Sequence, residues 1–317
     1  MTVSTEQQAF EATARHGAPA ARAMELCQTL AAGGQGAHEL AALWLHVAAA
    51  HPDQLPQIYD ASAEGWFGVR PKARAIDARS APLPIPDDFW PQFWALASDP
   101  RTGQDAGEVT VRTAALAGSL GPAYRQRAAQ MSLNYPGVKA AAAAGYPAKF
   151  TLEALARNPR GSLGAQFHDL IVDNGFDLEV LDRDALGLQD LPPPLDYLNV
   201  RILQCHDLWH ILAGYETTVL HEVAISGFQM GQFGHPYSAM FLAVVLTKIA
   251  FEQPAGVKLM LDTILSAWTH GRESPPLLGL DWPSLWHLTT DDLRAQIGLS
   301  AYLSPYPADL FEQLRAA

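Results

Sequence analysis

Two histidines and two carboxylates lie close together in the segment CHDLWHILAGYETTVLHEV, at a spacing that suits metal binding. His206 and His210 are four residues apart, so one turn of helix places both imidazoles on the same face. Asp207 reaches the edge of that face, and Glu222 follows twelve residues after His210. Two imidazoles with one or two carboxylates form a ligand set for Zn²⁺ or Fe²⁺, with Mg²⁺ and Mn²⁺ as further occupants.

A helical hairpin would bring these residues together. A helix predicted over 197–213 can end at Gly214, and a second helix can begin after Thr217 or Thr218. Antiparallel packing of the two helices then brings Glu222 to the level of the two histidines. We therefore predict a metal-binding helical hairpin with His206, Asp207, His210 and Glu222 as the ligands.

The residues around the hairpin argue that it is buried. Leu, Ile, Val and Trp flank the four polar groups, and several unpaired ionisable groups in such a place cost several kcal/mol each unless they are paired or bind a cation. A bound metal ion removes that cost. A buried network of histidines and carboxylates without metal remains the alternative.

Composition excludes several classes of protein. Of 317 residues, 49% are hydrophobic, which is enough for a sizeable core, and the formal net charge of -12 argues against nucleic acid as a partner. Cys27 and Cys205 form no CxxC pattern, so we expect a reducing cytoplasm. The first residues lack the pattern of a secretory signal, and the most apolar segment, 239–250, is shorter than the roughly 20 residues of a transmembrane helix.

The pattern of elements predicts an all-α fold. Alanine- and leucine-rich segments with helical spacing dominate, and alternating runs of β-branched residues are nearly absent. A proline-rich stretch over 70–91 predicts an extended connector, and Asp196 is expected to cap the helix of the histidines. We divide the chain into a helical N-terminal region, 1–120, and a helical core, 121–317.

The motif H-D-x-x-H, eleven residues and then E resembles the signature of the Coq-four family of ubiquinone biosynthesis. Further similarity extends through Arg201, Gly214 and the stretch PRGSLG at 159–164. The resemblance implies a multi-helix fold with an orthogonal helical core, a metal on the motif and an apolar cavity for a prenyl or acyl chain. The residues Ile202, Leu203 and Gln204 differ from the polar stretch that is common there in the family.

The resemblance also implies a reaction, namely removal of the carboxyl group from a prenylated aromatic ring and hydroxylation of that carbon. Asp207 and Glu222 would be the catalytic residues, and zinc or iron the cofactor. The expected partners are a prenylated or acyl quinone precursor and other quinone-biosynthesis proteins, with a homodimer left open. A non-catalytic scaffold that binds isoprenoid lipids is the alternative function, and peripheral contact with the inner face of a membrane fits either one.

Substrate-binding residues follow from the same resemblance. Phe241, Leu242 and Val245 on the apolar helix would line the cavity, with Lys248 at its mouth and Arg201 as a further substrate-binding residue. Ordinary core packing is the alternative for the apolar helix. His221, beside Glu222, points away from the ligand face, and we interpret it as a residue behind the ligands or a structural residue.

Two other metal-enzyme classes fit the sequence less well. A phosphohydrolase with adjacent His and Asp needs its other ligands on distant helices, whereas here the second histidine follows at once. A zinc peptidase of the H-E-x-x-H type uses Glu beside the first histidine, where this chain has the shorter Asp207.

Overall fold

The computed structural model describes residues 4–76, 80–100, 106–179, 182–184 and 188–316, and within them it contains helices and no strand. The predicted all-α class is therefore confirmed. The helices are α1 (Thr5–His16), α2 (Ala20–Ala31), α3 (Ala37–Ala49), α4 (Leu55–Phe67), α5 (Phe89–Ala97), α6 (Ala106–Gly118), α7 (Gly121–Ser132), α8 (Val138–Ala143), α9 (Leu152–Ala156), α10 (Leu163–Asn174), α11 (Leu195–Ala213), α12 (Val219–Phe233), α13 (Pro236–Glu252), α14 (Val257–Glu273), α15 (Trp282–Leu285), α16 (Thr290–Ile297) and α17 (Leu310–Ala316).

Local signals set the ends of the hairpin helices. Gly214 takes the left-handed conformation with φ 81° after α11, which ends the helix because a side chain there would be strained. The predicted cap at Asp196 is wrong. Helix α11 begins at Leu195, so Asp196 lies inside its first turn and Pro194 precedes the helix. Thr218 precedes α12 but does not cap it, since its hydroxyl donates to Ala308 O. Instead, Val219 N–H donates to the carboxylate of Glu312 on α17.

The described part of the proline-rich stretch is non-helical from residue 70 to residue 88. Helix α5 begins at Phe89, inside the predicted stretch 70–91. Pro91 is tolerated there because the first turn of a helix has no partner for its N–H groups. Residues 77–79 of the connector lie outside the described residues.

One hydrophobic core joins the N-terminal helices to α13 and α14. Trp44 of α3, Tyr59 of α4 and Trp268 of α14 are fully buried in it, and the ring of Tyr59 lies between the other two. Helix α13 packs against α3 and also contacts α5 and α6. The apolar helix of the sequence is thus covered by the N-terminal region.

A second core holds the buried face of α11. Leu208, Trp209 and Leu212 pack there with Phe228 and Phe233 of α12. Residues of α7 to α10 and of the short helices after α14 complete this core, which packs against α11.

Glycines allow α12 and α14 to cross closely. A Cβ atom on Gly271 would lie 2.3 Å from Phe228 O, and one on Gly231 would lie 2.7 Å from Trp268 O. Backbone contact of this kind holds α12, which carries Glu222, at a defined distance from α14. Among the described residues, no helix is both long and apolar enough to cross a membrane.

Candidate metal centre

Three residues of the predicted motif converge on one point. His206 Nε2 lies 3.3 Å from Glu222 Oε2 and 3.2 Å from His210 Nε2. His210 Nε2 lies 3.4 Å from Glu222 Oε1, and the three ligand atoms all fall within 4.8 Å of one another. Consecutive turns of α11 supply the histidines, and the first turn of α12 supplies the carboxylate.

Electrostatics favours a positive charge at this point. Burial opposes protonation of His206, but the hydrogen bond and the charge of Glu222, with the charge of Asp207, outweigh burial and raise the pKa of His206. Burial likewise opposes ionisation of Glu222, yet its hydrogen bonds to His206 and His210 hold the pKa of its carboxyl well below the usual range. A divalent cation could supply the positive charge that this arrangement favours.

The cluster is closed on one side and open on the other. The side chain of His210 is 1% exposed, that of His206 is 19% exposed and that of Glu222 is 40% exposed. Three protein ligands with an accessible side are the pattern of metal sites that keep a position for water or substrate.

The backbone of the hairpin turn orients His210. Its Nδ1 lies 3.2 Å from Tyr215 O, which can only accept a hydrogen bond, so Nδ1 carries a proton. When the ring is neutral, the lone pair is therefore on Nε2, the nitrogen that faces the cluster. The Tyr215 hydroxyl is itself held, 2.8 Å from His270 Nδ1. The donor set and its orientation therefore fit a divalent cation.

A buried polar chain behind His206 was missed by the sequence analysis. His206 Nδ1 lies 2.8 Å from the amide of Gln229, whose Oε1 lies 3.5 Å from Ser238 Oγ. Ser238 Oγ in turn lies 2.9 Å from His235 Nδ1. Gln229 follows Glu222 by seven residues, two turns of α12, so helical spacing alone could have placed it on the ligand face.

Two predicted residues stand apart from the three ligands. Asp207 is absent from the ligand group found among the described residues. It directly follows His206 on α11, and adjacent residues of a helix point in different directions. His221 is buried; its Nδ1 accepts a hydrogen bond from Glu216 N–H, and its ring packs edge-on against Tyr302. Burial lowers the pKa of His221, which suits a neutral structural residue.

Arg201 is held inside the protein by backbone carbonyls. Its guanidinium donates to Leu278 O, to Leu280 O and to Gln204 Oε1. These bonds use three of the five guanidinium N–H groups, and Arg201 is 7% exposed.

The residues expected to line an apolar cavity differ in their environments. Leu242 is fully buried in the core shared with the N-terminal helices, and Val245 is 9% exposed beside it. Phe241 is half-buried and its ring stacks on Tyr237, with 6.1 Å between the centroids. Lys248 is buried and donates to Glu252 and to Asp99 O, which places its ammonium in an ion pair on α13.

The sequence around this site matches a known family. Residues 147–302, about half of the chain, match the model of the coenzyme Q (ubiquinone) biosynthesis protein Coq4. Through these residues the chain belongs to the Coq4 family. The matched segment contains both histidines, Glu222, Gln229 and the whole of α11 to α14.

Curated Coq4 proteins are similar over the same part of the chain. The ubiquinone biosynthesis protein COQ4 homolog of Drosophila ananassae is 31% identical over 147 residues, which cover 45% of this chain and 52% of that protein. The COQ4 protein of Eremothecium gossypii is 26% identical over 150 residues, which cover 47% of this chain and 44% of that protein. The chain thus spans about half the length of these relatives, whose names describe them as mitochondrial.

A solved structure shares the fold. A protein of Nostoc punctiforme, provisionally named for ubiquinone biosynthesis, superposes with a TM-score of 0.52 at 23% identity. The match covers 68% of this chain and 98% of that chain, and at this identity it concerns the fold alone.

Proposed function

We propose that His206, His210 and Glu222 hold a divalent cation and that the chain acts in coenzyme Q biosynthesis. The observation that carries this proposal is the convergence of three ligand atoms within 4.8 Å, one of them oriented by the Tyr215 carbonyl. The names of the Coq4 relatives support the pathway. Zinc and iron suit the ligand set best, and magnesium or manganese would bind it more weakly.

The proposed reaction is decarboxylation of a prenylated aromatic acid with hydroxylation of the carbon that loses CO₂. Molecular oxygen is the oxidant, so the acid, O₂ and water would give the hydroxylated ring, CO₂ and hydrogen peroxide. A bound cation would supply a Lewis acid that stabilises negative charge on the ring as CO₂ leaves, and iron would add the redox chemistry that hydroxylation requires. The two histidines and Glu222 fix its position. The half-exposed edge of the cluster at Glu222 is where the substrate carboxylate or phenolate would enter.

Asp207 is the proposed proton acceptor. It lies next to His206 on α11 and is half-buried, and its charge contributes to the raised pKa of His206. A carboxylate in this place could take the proton of a ring hydroxyl whose oxygen a bound cation would hold. The Phe241 and Tyr237 rings, half-buried on α13, would contact the start of the prenyl chain.

The test is turnover of a prenylated hydroxybenzoate by anaerobically purified chain loaded with one metal at a time and then exposed to oxygen. We expect CO₂ release and a hydroxylated product with iron, and loss of both in Glu222→Gln. An Asp207→Asn variant should retain the metal and lose most of the activity. Binding of the prenylated compound without turnover by any metal form would favour the alternative, a lipid-binding scaffold that associates with other quinone-biosynthesis proteins.

A further inference from the structure

The amide of Gln229 faces the nitrogen of His206 that lies away from the cluster. His206 Nε2 points at the other two ligands, while Nδ1 lies 2.8 Å from the Gln229 amide nitrogen. Gln229 is 3% exposed, so water does not compete freely for this contact. Whether His206 Nδ1 carries a proton therefore depends on whether the NH₂ group or the carbonyl oxygen of Gln229 faces it.

The two orientations of the amide correspond to two tautomers of His206. When the amide NH₂ faces Nδ1, Nδ1 must accept, and the neutral ring carries its proton on Nε2, where it points at Glu222. When the carbonyl oxygen faces Nδ1, Nδ1 carries the proton and Nε2 presents a lone pair. Only the second orientation leaves Nε2 able to bind a cation while the ring stays neutral.

The chain beyond Gln229 can satisfy either orientation. Ser238 Oγ lies between the Gln229 carbonyl oxygen at 3.5 Å and His235 Nδ1 at 2.9 Å, and a hydroxyl can donate in one direction while it accepts from the other. After a half-turn of the amide, its NH₂ donates to Ser238 Oγ, and the Ser238 hydroxyl donates to His235 Nδ1. His235 then carries its proton on Nε2, so each imidazole still has one N–H, and the contacts among Gln229, Ser238 and His235 Nδ1 are kept with their directions reversed.

We infer that Gln229 is the positioning residue of this site, and that its amide turns to accept the His206 Nδ1–H when a divalent cation binds. Ser238 and His235 reverse their hydrogen bonds with it. This inference rests on the proposed metal site. It explains why a buried glutamine of α12, a serine of α13 and the histidine just before α13 meet behind one ligand.

The experiment compares Gln229→Leu with Gln229→Glu by calorimetric titration of Zn²⁺ and Co²⁺ into metal-free full-length chain. Leucine cannot accept the Nδ1–H, so we expect the affinity to fall 10- to 100-fold, as is usual when a partner behind a ligand is lost. Glutamate accepts only, so Q229E should bind within a few-fold of the wild type or more tightly. The ¹⁵N NMR signals of His206 should report an Nδ1–H ring in the zinc forms of the wild type and Q229E.

Gln232→Leu is the matched control. Gln232 is a buried glutamine one turn further along α12, and it bonds to Gly271 O and to Leu277 N instead of a ligand. We expect Q232L to lose stability and to keep the zinc affinity of the wild type. If Q229L does not fold, Gln229→Asn, whose shorter side chain withdraws the carbonyl from Nδ1, decides in its place.

The outcomes separate the two claims. A wild type that binds neither cation overturns the proposed site and this inference together. If the wild type binds zinc and Q229L and Q229E bind it with equal affinity, the inference alone is overturned. A zinc form in which His206 carries its proton on Nε2 overturns the inference and also removes His206 from the proposed ligands.

Discussion

Buried histidines that remain neutral make the chain sensitive to acid. Burial lowers the pKa of His235 to about 3 and also lowers the pKa of His46 and of His270. An unfolded histidine takes up a proton near pH 6.5. Below that pH the unfolded state binds more protons than the native state, so these residues favour the native state above pH 6.5 and lose that contribution as the pH falls.

We predict that His235→Gln makes the metal-free chain less sensitive to acid. Each unit below pH 6.5 costs the native state about 1.4 kcal/mol for a histidine that cannot protonate, so the free energy of unfolding of the wild type should fall relative to the variant by about 2 kcal/mol between pH 7.5 and pH 5. Urea unfolding across that range measures the difference. Parallel curves for the two chains would show that His235 takes up its proton in the folded protein.

The residues of the cluster could be predicted from the sequence better than the groups that hydrogen-bond to them. His206, His210 and Glu222 follow from helical spacing across a short turn, which is local information. The partners of the ligands come from elsewhere: Tyr215 acts through its backbone carbonyl, which no side-chain pattern reveals, and Ser238 lies on the next helix. The predicted ligand Asp207 belongs to the same sequence motif, but it is not among the residues whose ligand atoms converge.

At the level of elements, the site depends on how closely α12 approaches α14. Gly227 and Gly231 on α12 lie opposite Ala267 and Gly271 on α14, and the added Cβ atoms would meet backbone atoms that cannot move aside singly. Helix α12 carries both Glu222 and Gln229, so displacement of this helix would move a ligand and the partner of another.

We predict that Gly271→Ala destabilises the chain by about 2 kcal/mol or more, because its methyl group would lie 2.3 Å from Phe228 O and force the helices apart. Thermal unfolding with zinc titration measures both effects, and zinc affinity should fall along with stability. Gly118→Ala on α6 is the control, since no atom lies within 4 Å of its added Cβ and alanine favours the helix by up to about 1 kcal/mol. A G271A chain as stable as the wild type would mean that this crossing tolerates a wider spacing.

The extents of the hairpin helices were predictable because glycine and proline punctuate them. Helix α11 ends at Gly214 as expected, and it starts two residues before the predicted 197–213. The cap of α12 could not be predicted from local sequence. The first N–H of this helix, on Val219, donates to Glu312, which lies ninety-three residues further along the chain.

At the level of the whole molecule, a buried ion pair joins the N-terminal helices to the Coq4 segment. Asp60 of α4 accepts from the Arg272 guanidinium of α14 at 3.2 Å and from the Trp268 indole at 2.9 Å. Arg272 also donates to Arg74 O. Both members of the pair are buried, so neither can find water when the other is removed.

We predict that Asp60→Ala lowers the free energy of unfolding by about 3–5 kcal/mol, because it leaves the buried Arg272 charge without a carboxylate to pair with. Chemical denaturation measures the change. Asp87→Ala is the matched control: it removes the Arg15 pair, in which Asp87 is 96% exposed, and should change stability by less than about 1 kcal/mol. Equal effects of the two substitutions would show that Arg272 reaches solvent when Asp60 is lost.

The assembly of the molecule was the least predictable level. An apolar pattern on 239–250 indicates that a helix is buried, but it does not say by what, and a lipid cavity and a protein core give the same pattern. In the structure α3 covers much of this helix. The division at residue 120 remains a prediction, although one core contains residues from both sides of it and the family match begins at residue 147.

The most direct test of the account is the metal content of the full-length chain, measured by elemental analysis after anaerobic purification and by zinc titration of the metal-free form. We predict about one divalent cation per chain in the wild type, a loss of at least 100-fold in affinity in His210→Ala and in Glu222→Gln, and no change in His168→Ala, which replaces a histidine outside the cluster. A wild type that binds no divalent cation, or a His210→Ala variant that binds one as tightly as the wild type, would contradict the account and leave the cluster as a buried polar network.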